Sequence, residues 1–209
     1  DIALKYLAEW RNDWCAFASD VLRANLDDEQ KAVLRSVQKN PMTAVASGTS
    51  RGKDFVAACA ALCFMYLTPE WDDDGNLIRN TKIALSAPSQ RQVENIMTPE
   101  VRRLFRNAGI LPGRLVANDI RTDYEEYFLT GFKADNKNQE VWSGFHAANV
   151  MFIITEASGV SETIFSAIEG NLQGNSRLLL VFNPNITTGY AANAMKSVSY
   201  THLTLPTIR

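Results

Sequence analysis

VASGTSRGKDFV, residues 45–56, runs from an apolar segment into glycine, then through small polar residues to Gly52-Lys53. A phosphate-gripping loop has the form G-x-x-x-x-G-K-[ST]: backbone amides ring the phosphates, the lysine neutralises the β and γ groups, and the closing hydroxyl ligates Mg2+. Counting back from Gly52 and Lys53 puts Ser47 at the first glycine position, with Gly48 beside it, and Asp54 stands where the hydroxyl belongs. Only the second glycine and the lysine match, so the stretch by itself fits an ordinary turn as well as a nucleotide loop.

Its flanks favour the loop. TAVAS at 43–47 predicts a short strand, and Phe55 to Leu67 continues as a helix that is apolar nearly all round and therefore buried. Strand, loop and helix in that order aim the helix N-terminal amides and dipole at an anion. Such a site needs a second element, an apolar strand whose end supplies a metal-associated aspartate and then a glutamate that positions or deprotonates water. VMFIIT at 150–155 followed by Glu156 has that form with one departure, Thr155 in place of the aspartate. The two departures are complementary, because Asp54 offers a carboxylate and Thr155 a hydroxyl. The expectation is that the pair has exchanged places and that Asp54 and Thr155 together hold Mg2+, a hard cation that accepts oxygen from either group and keeps several waters. The opposing expectation is a decayed site that binds nucleotide weakly or not at all.

Elsewhere, Leu7, Trp10, Trp14, Phe17 and Val21 recur at helical intervals and predict one amphipathic helix over roughly 2–23. A second helix starts at Asp27 or Asp28, whose carboxylates suit a helix N-terminus, and runs to about Val37. WDDDGN at 71–76 reads as exposed loop, KIALSA at 82–87 as a strand, and Ser89 to Asn107 as a long helix. Residues 113–145 are the least legible, with short strands expected around EEYFLTGF and EVWSGF. A helix around 161–172 and a strand, RLLLVFN at 177–183, follow the acidic strand. Apolar strands alternating with helices predict an α/β fold with a mainly parallel sheet covered on both faces.

At 209 residues, 46% hydrophobic and 21% charged, the composition is that of one globular domain. The formal net charge of −2 announces neither nucleic acid nor an anionic membrane, so any DNA contact would rest on a few placed residues. VAACAALCFMYL at 56–67, the longest apolar stretch, is shorter than the ~20 residues a membrane span needs. No charged-then-apolar segment opens the sequence, and a reduced, cytosolic compartment is expected. Cys15, Cys59 and Cys63 are read as buried small hydrophobes rather than a metal site.

With both elements placed, the chain from about Leu26 to Met195 resembles the ATPase domain of the large terminase subunit of tailed bacteriophages. The resemblance rests on LDDEQKAVL, VASGTSRGKDF, ALSAPSQRQVENIM, WSGFHAANVMFIITEASGV, SETIFSAIEGNL and LLLVFNPN in that order. It implies a P-loop NTPase fold of RecA-like type, hydrolysis of ATP with Mg2+, and the driving of double-stranded DNA into a procapsid. It also implies a ring-shaped homo-oligomer, the portal protein and the small terminase subunit as partners, no membrane, and a place in the cytoplasm of the infected bacterial host, transiently docked on the procapsid. Residue by residue, Gln30 would read adenine, or else be an exposed helix residue. Ser47, Gly48, Thr49, Ser50, Arg51, Gly52 and Lys53 would form the phosphate cradle, with Arg51 contacting the γ-phosphate or just solvating the loop. Glu156 would be the catalytic glutamate, and Asn183, before Pro184, would sense the γ-phosphate or simply end a strand. Gln90 and Gln92 would communicate with DNA or neighbouring subunits, and His146 would orient a loop near the site or simply be hydrogen-bonded. A neighbour's arginine would complete the site, with Arg102, Arg103, Arg121 and Arg177 as candidates. The rivals are a helicase-type RecA-like ATPase and a catalytically decayed assembly module.

The expected organisation is an N-terminal helical segment over 1–25, the ATPase domain over 26–196, and a terminal stretch, 197–209, foreign to it. VSYTHLTLPT at 198–207 resembles the conceptual translation of a transposon-end sequencing adapter, with a short terminal strand as the alternative. The nuclease domain of the family is expected to lie outside this sequence.

Overall fold

A computed structural model of the chain describes residues 2–48, 52–135, 141–142, 145–185, 188–197 and 199–205. The single helix expected at the start is two, α1 (Ile2–Asn12) and α2 (Trp14–Asp20). Asp13 breaks them because it adopts an extended conformation and its carboxylate accepts the Cys15 N–H, capping α2. α3 (Asp28–Lys39) opens on a capping box in which Asp27 accepts the Gln30 N–H at 2.8 Å and the Gln30 side-chain oxygen accepts the Asp27 N–H at 3.1 Å. β1 (Met42–Ser47) and α4 (Lys53–Leu67) flank the glycine loop. The acidic turn joins a hairpin of β2 (Glu70–Trp71) and β3 (Leu77–Arg79), held by Asp72, whose carboxylate accepts the Asn76 N–H at 2.7 Å.

β4 (Thr81–Ala87) feeds a helix in three parts rather than the one expected: α5 (Gln90–Gln92), a π-helical turn (Val93–Met97), and α6 (Thr98–Ala108). Pro99 accounts for the break. It has no N–H to give the Asn95 carbonyl and its ring crowds that carbonyl, so the preceding turn widens and the Thr98 N–H reaches back to Val93. The poorly legible region holds a hairpin not singled out in the sequence, β5 (Arg114–Val116) with β6 (Asp119–Arg121), and then β7 (Phe128–Lys133) within EEYFLTGF. No strand forms at Val141 and Trp142 of EVWSGF, which are helical; Glu140, Ser143 and Gly144 lie outside the described residues. β8 (Asn149–Thr155), α7 (Glu162–Glu169), β9 (Asn175–Phe182), α8 (Tyr190–Ala194) and β10 (Thr201–Leu205) complete the order.

The strands form one eight-stranded sheet in the order β10-β1-β9-β8-β4-β7-β6-β5, antiparallel only at its β7-β6-β5 end. Both faces are covered, as the near-continuous apolar strands require. Along β8, Met151 and Ile153 point to the face that carries α1–α4 and α6, and Val150, Phe152 and Ile154 point to the face of Trp142, Phe145 and α7. Each of these five side chains is nearly or fully buried, worth roughly 1.5–3 kcal/mol relative to exposure. α4 is buried on almost every side because sheet, α3 and α6 all pack on it. The N-terminal helices share that core, with Trp14 edge-on to Phe64 of α4 at 6.3 Å.

Thr201–Leu205, expected to be foreign to the domain, pairs in parallel with β1 from Thr43 to Ser47. Without it β1 would present a row of unpaired N–H and C=O groups, and a short alternating segment with two threonines satisfies such an edge. The pairing therefore reports on the need of the β1 edge and not on the origin of the segment.

Candidate nucleotide site

β1, β9 and β8 end side by side, and their registers fix what faces α4. Side-chain alternation puts Val45, Leu179, Val181, Met151 and Ile153 on the α4 face. Two residues further along each strand, Ser47, Asn183 and Thr155 take the same face at the carboxyl edge of the sheet. This is the edge where open α/β sheets hold their ligands, and α4 begins directly above it.

Gly52 precedes α4 with φ +66°, the left-handed region. A Cβ there would lie 2.5 Å from the Gln30 Nε2, so glycine is needed for both conformation and space. Gln30 is buried rather than exposed: its oxygen serves the capping box and its NH2 end packs against the loop glycine. Ser47 is fully buried and its hydroxyl donates to the Gly48 carbonyl at 3.1 Å. Thr49, Ser50 and Arg51 lie outside the described residues.

Lys53, on the first turn of α4, reaches across to the β8 end, where its Nζ donates to the Glu156 Oε1 at 2.8 Å. Glu156 holds a left-handed backbone at φ +50°, uncommon for a residue with a Cβ. It leads into a 3-10 turn, Ala157–Gly159, in which the Gly159 N–H donates to the Glu156 carbonyl at 3.0 Å; a Cβ at Gly159 would stand 2.8 Å from the Pro88 ring, so the TEASG and SAPS segments approach closely through this glycine. A cavity of about 450 Å³ opens here, lined by Gly52, Lys53, Asp54, Glu156 and Asn183. The Asn183 side-chain oxygen accepts the Asn185 N–H at 3.2 Å.

Two oxygens in the region are buried and have no hydrogen-bond partner among the described residues, the Asp54 Oδ1 and the Thr155 Oγ1. Burial pushes the Asp54 carboxyl up to about 6; Lys53 opposes the shift, and Glu156 and Glu100 add to it. A carboxylate and a hydroxyl left without partners are hard oxygen donors of the type Mg2+ takes, and they fit that ion. No cluster of three or more His, Cys, Asp or Glu side chains able to cage a metal occurs among the described residues.

Sequence reasoning missed the other wall of the cavity, formed by Asn95, Ile96, Pro99 and Glu100 from the π turn and the start of α6. The signal was Pro99, which cannot sit inside a regular helix. The glutamines singled out nearby have local bonds: Gln92 closes a capping box with Ser89, and the Gln90 side chain donates to Glu94 at 2.7 Å. His146 is exposed. Of the candidate arginines, Arg177 donates to the Val37 and Gln38 carbonyls, and Arg121 pairs with Asp119 at 2.5 Å. Arg103 pairs with Glu100 at 2.6 Å, and Arg102 donates to the Ala117 carbonyl. Cys59 and Cys63 are buried and Cys15 only partly so; desolvation raises all three thiols.

No protein-family model matches the chain. The resemblance read from the motifs is nonetheless borne out. The chain is 29% identical over 195 residues to a probable terminase large subunit of Enterobacteria phage P7, an overlap of 88% of this chain and 37% of that protein. It therefore spans well under half the length of the curated relative it matches. Among solved structures it is similar to the large terminase ATPase domain of Thermus phage P74-26 (TM-score 0.66, 15% identity, 89% of this chain and 83% of that one). It is also similar to the large terminase of a thermophilic bacteriophage solved in complex with ADP (TM-score 0.62, 13% identity, 86% and 45%), and to the HK97 bacteriophage large terminase (TM-score 0.57, 17% identity, 82% and 37%). The fold is shared with these large terminase structures, a mainly parallel central sheet flanked by helices.

Proposed function

We propose that this chain is the ATP-hydrolysing motor domain of a phage large terminase subunit, driving double-stranded DNA into a procapsid. The observation that carries the proposal is the Lys53–Glu156 pair on a cavity also lined by Asp54, whose buried Oδ1, like the Oγ1 of Thr155 next to Glu156 in the chain, lacks a partner among the described residues. The likeness to terminases, one of them solved with ADP and the same protein also with ATP-gamma-S, supports a nucleotide as occupant.

In the empty site Lys53 neutralises Glu156. Entry of ATP gives the lysine a better partner in the β- and γ-phosphates, and the glutamate is released to accept a hydrogen bond from water and orient it for in-line attack. The α4 N-terminal amides and the glycine loop, from Gly48 through Arg51 to Gly52, hold the phosphates. Bound Mg2+, held by Asp54 and Thr155, would supply charge neutralisation on the phosphate oxygens. Asn183, just past the end of β9, would register loss of the γ-phosphate through its amide, and Gln30, packed against Gly52, would read a base edge. A neighbouring subunit in a ring would supply a further cation for the transferring phosphoryl group, and any of the four candidate arginines would have to leave an internal partner to do so. Portal protein and small subunit are the expected partners, and the cytoplasm of the infected host, at the procapsid, is the expected place of action.

Mg2+-dependent ATP binding and turnover by the chain test this directly. Wild type should bind and hydrolyse, Lys53→Ala should lose binding, and Asp54→Ser and Thr155→Asp should each weaken metal-dependent binding while the double variant regains it. A folded wild type without nucleotide binding, gaining it in the double variant, would mean a decayed site and an assembly role instead.

A further inference from the structure

Beyond the nucleotide cavity, α6 borders a second groove of about 470 Å³, walled by Thr98, Arg102, Arg103, Arg106, Asn107 and Asn118. Three guanidiniums converge there, in a chain whose net charge is −2. Arg102 and Arg106 are one turn apart and therefore neighbours on the helix surface, with Cβ atoms ~5–6 Å apart. Arg106 is exposed and makes no ion pair among the described residues. The Arg102 Nε and the Thr98 hydroxyl are buried and unpartnered among the described residues, although the other end of the Arg102 guanidinium donates to the Ala117 carbonyl. The one carboxylate on the groove, Glu94, already accepts from Gln90.

Guanidinium ends and amide groups make a wall rich in donors, with the Thr98 hydroxyl and the Arg102 Nε buried beneath it. The ligand that satisfies it is one that only accepts, and a run of phosphates does so at several points together. The groove is open, so a continuous strand can lie along it. We propose that this α6 groove grips the phosphodiester backbone of double-stranded DNA, reading no base; the proposal rests on the motor function proposed above.

The position gives the contact a use. Pro99 lines both this groove and the nucleotide cavity. Glu100, on the cavity side, pairs with Arg103 at 2.6 Å, and the Arg103 guanidinium lies 5.0 Å from the ring centre of Phe55, the neighbour of Asp54. One helix thus touches the phosphates of the fuel on one side and those of the track on the other.

The test is binding of a fluorescein-labelled DNA duplex of arbitrary sequence to the full 209-residue chain, by anisotropy across a KCl series. Each phosphate contact contributes roughly 0.9 to the slope of log K against log salt. Arg106→Ala should therefore lower the slope by about 1 and Arg102→Ala/Arg106→Ala by about 2, equally for unrelated sequences, while Lys39→Ala on the far end of α3 leaves it unchanged. Arg106→Ala and Arg106→Glu keep the test open if loss of Arg102 impairs folding, because Arg106 has no ion pair to lose. Unchanged slopes in these variants, or a wild type that hydrolyses ATP and binds no duplex, overturn the groove as a DNA contact. Variants that bind DNA normally but no longer self-associate in sedimentation also overturn it, and make the groove a contact between copies of the chain. A wild type that binds duplex through these arginines but neither binds nor hydrolyses ATP would sink the motor function and leave the groove standing.

Discussion

Asp54→Asn should stabilise the metal-free, nucleotide-free protein near neutral pH while removing metal-dependent nucleotide binding. The Asp54 carboxyl is raised from 3.8 to about 6, chiefly by burial, with Glu156 and Glu100 adding to the shift and Lys53 opposing it. A rise of about 2 units, at 1.36 kcal/mol each, is a destabilisation of about 3 kcal/mol once the group is ionised in the folded state. Below about pH 4 both folded and unfolded chains hold the proton and the group contributes nothing. Between about pH 4 and 6 the folded state keeps a proton that the unfolded state has released, so stability falls as pH rises, and above about 6 the full loss is present. Asparagine has the same shape and no charge, which removes this window. Urea melts in EDTA at a series of pH values should give wild type and variant equal stability near pH 4, and an advantage to the variant that grows to about 3 kcal/mol by about pH 7. Equal midpoints at every pH, or an advantage independent of pH, would show that the carboxylate is not held desolvated beside Glu156 and Glu100. Asp54 would then be hydrated where the structure buries it, and would have no misfit for a cation to relieve.

Three further outcomes follow from the same geometry. Glu156→Gln should keep nucleotide binding, since the amide fills the same space, but lose turnover by roughly 10²–10⁴-fold, the usual contribution of a group that handles the attacking water's proton; a phosphate-release assay with parallel calorimetry separates the two. Gly52→Ala should lower stability by about 1–2 kcal/mol from the left-handed backbone alone, and the new methyl must also displace the Gln30 amide from the loop; thermal melts with Gln30→Ala as background would report a smaller loss if that clash contributes. In the Asp54 and Thr155 double-mutant cycle, the coupling in metal-dependent binding should fall within about 0.5–3 kcal/mol, as for residues sharing one partner.

The core of the fold was legible because its strands are apolar on both faces, and because a Gly-Lys loop and an acidic strand end make chemical sense together only around a phosphate. β1, β4, β8 and β9 fall within two residues of where periodicity puts them. What escaped was set by tertiary context or by a single residue. Asp13 splits a continuous hydrophobic stripe without disturbing its spacing, so the stripe predicts one helix where capping makes two. Pro99 widens a turn whose neighbours all favour helix. The β5–β6 hairpin has little apolar alternation of its own and is held by pairing to β7. Within the site, Lys53 and Glu156 were readable from spacing, but the wall of Asn95 and Glu100 was not, because nothing local says that the π turn folds over α4.

The proposed exchange of carboxylate and hydroxyl between helix and strand has its own physical logic. Thr155 is 1% exposed at the end of a strand whose every residue is buried. A carboxylate there would be ionised in one of the driest positions of the sheet, where desolvation weighs most heavily against charge. At position 54 the charge stands in the first turn of α4, where the helix dipole favours an anion and the Lys53 ammonium is adjacent. Under the proposed exchange, a carboxylate on the helix and a hydroxyl on the strand would offer a metal one of each, with the charge placed where the protein without a metal can best bear it. Burial still raises the Asp54 carboxyl to about 6, so the relief is partial, and the remaining misfit is what a cation would remove on binding.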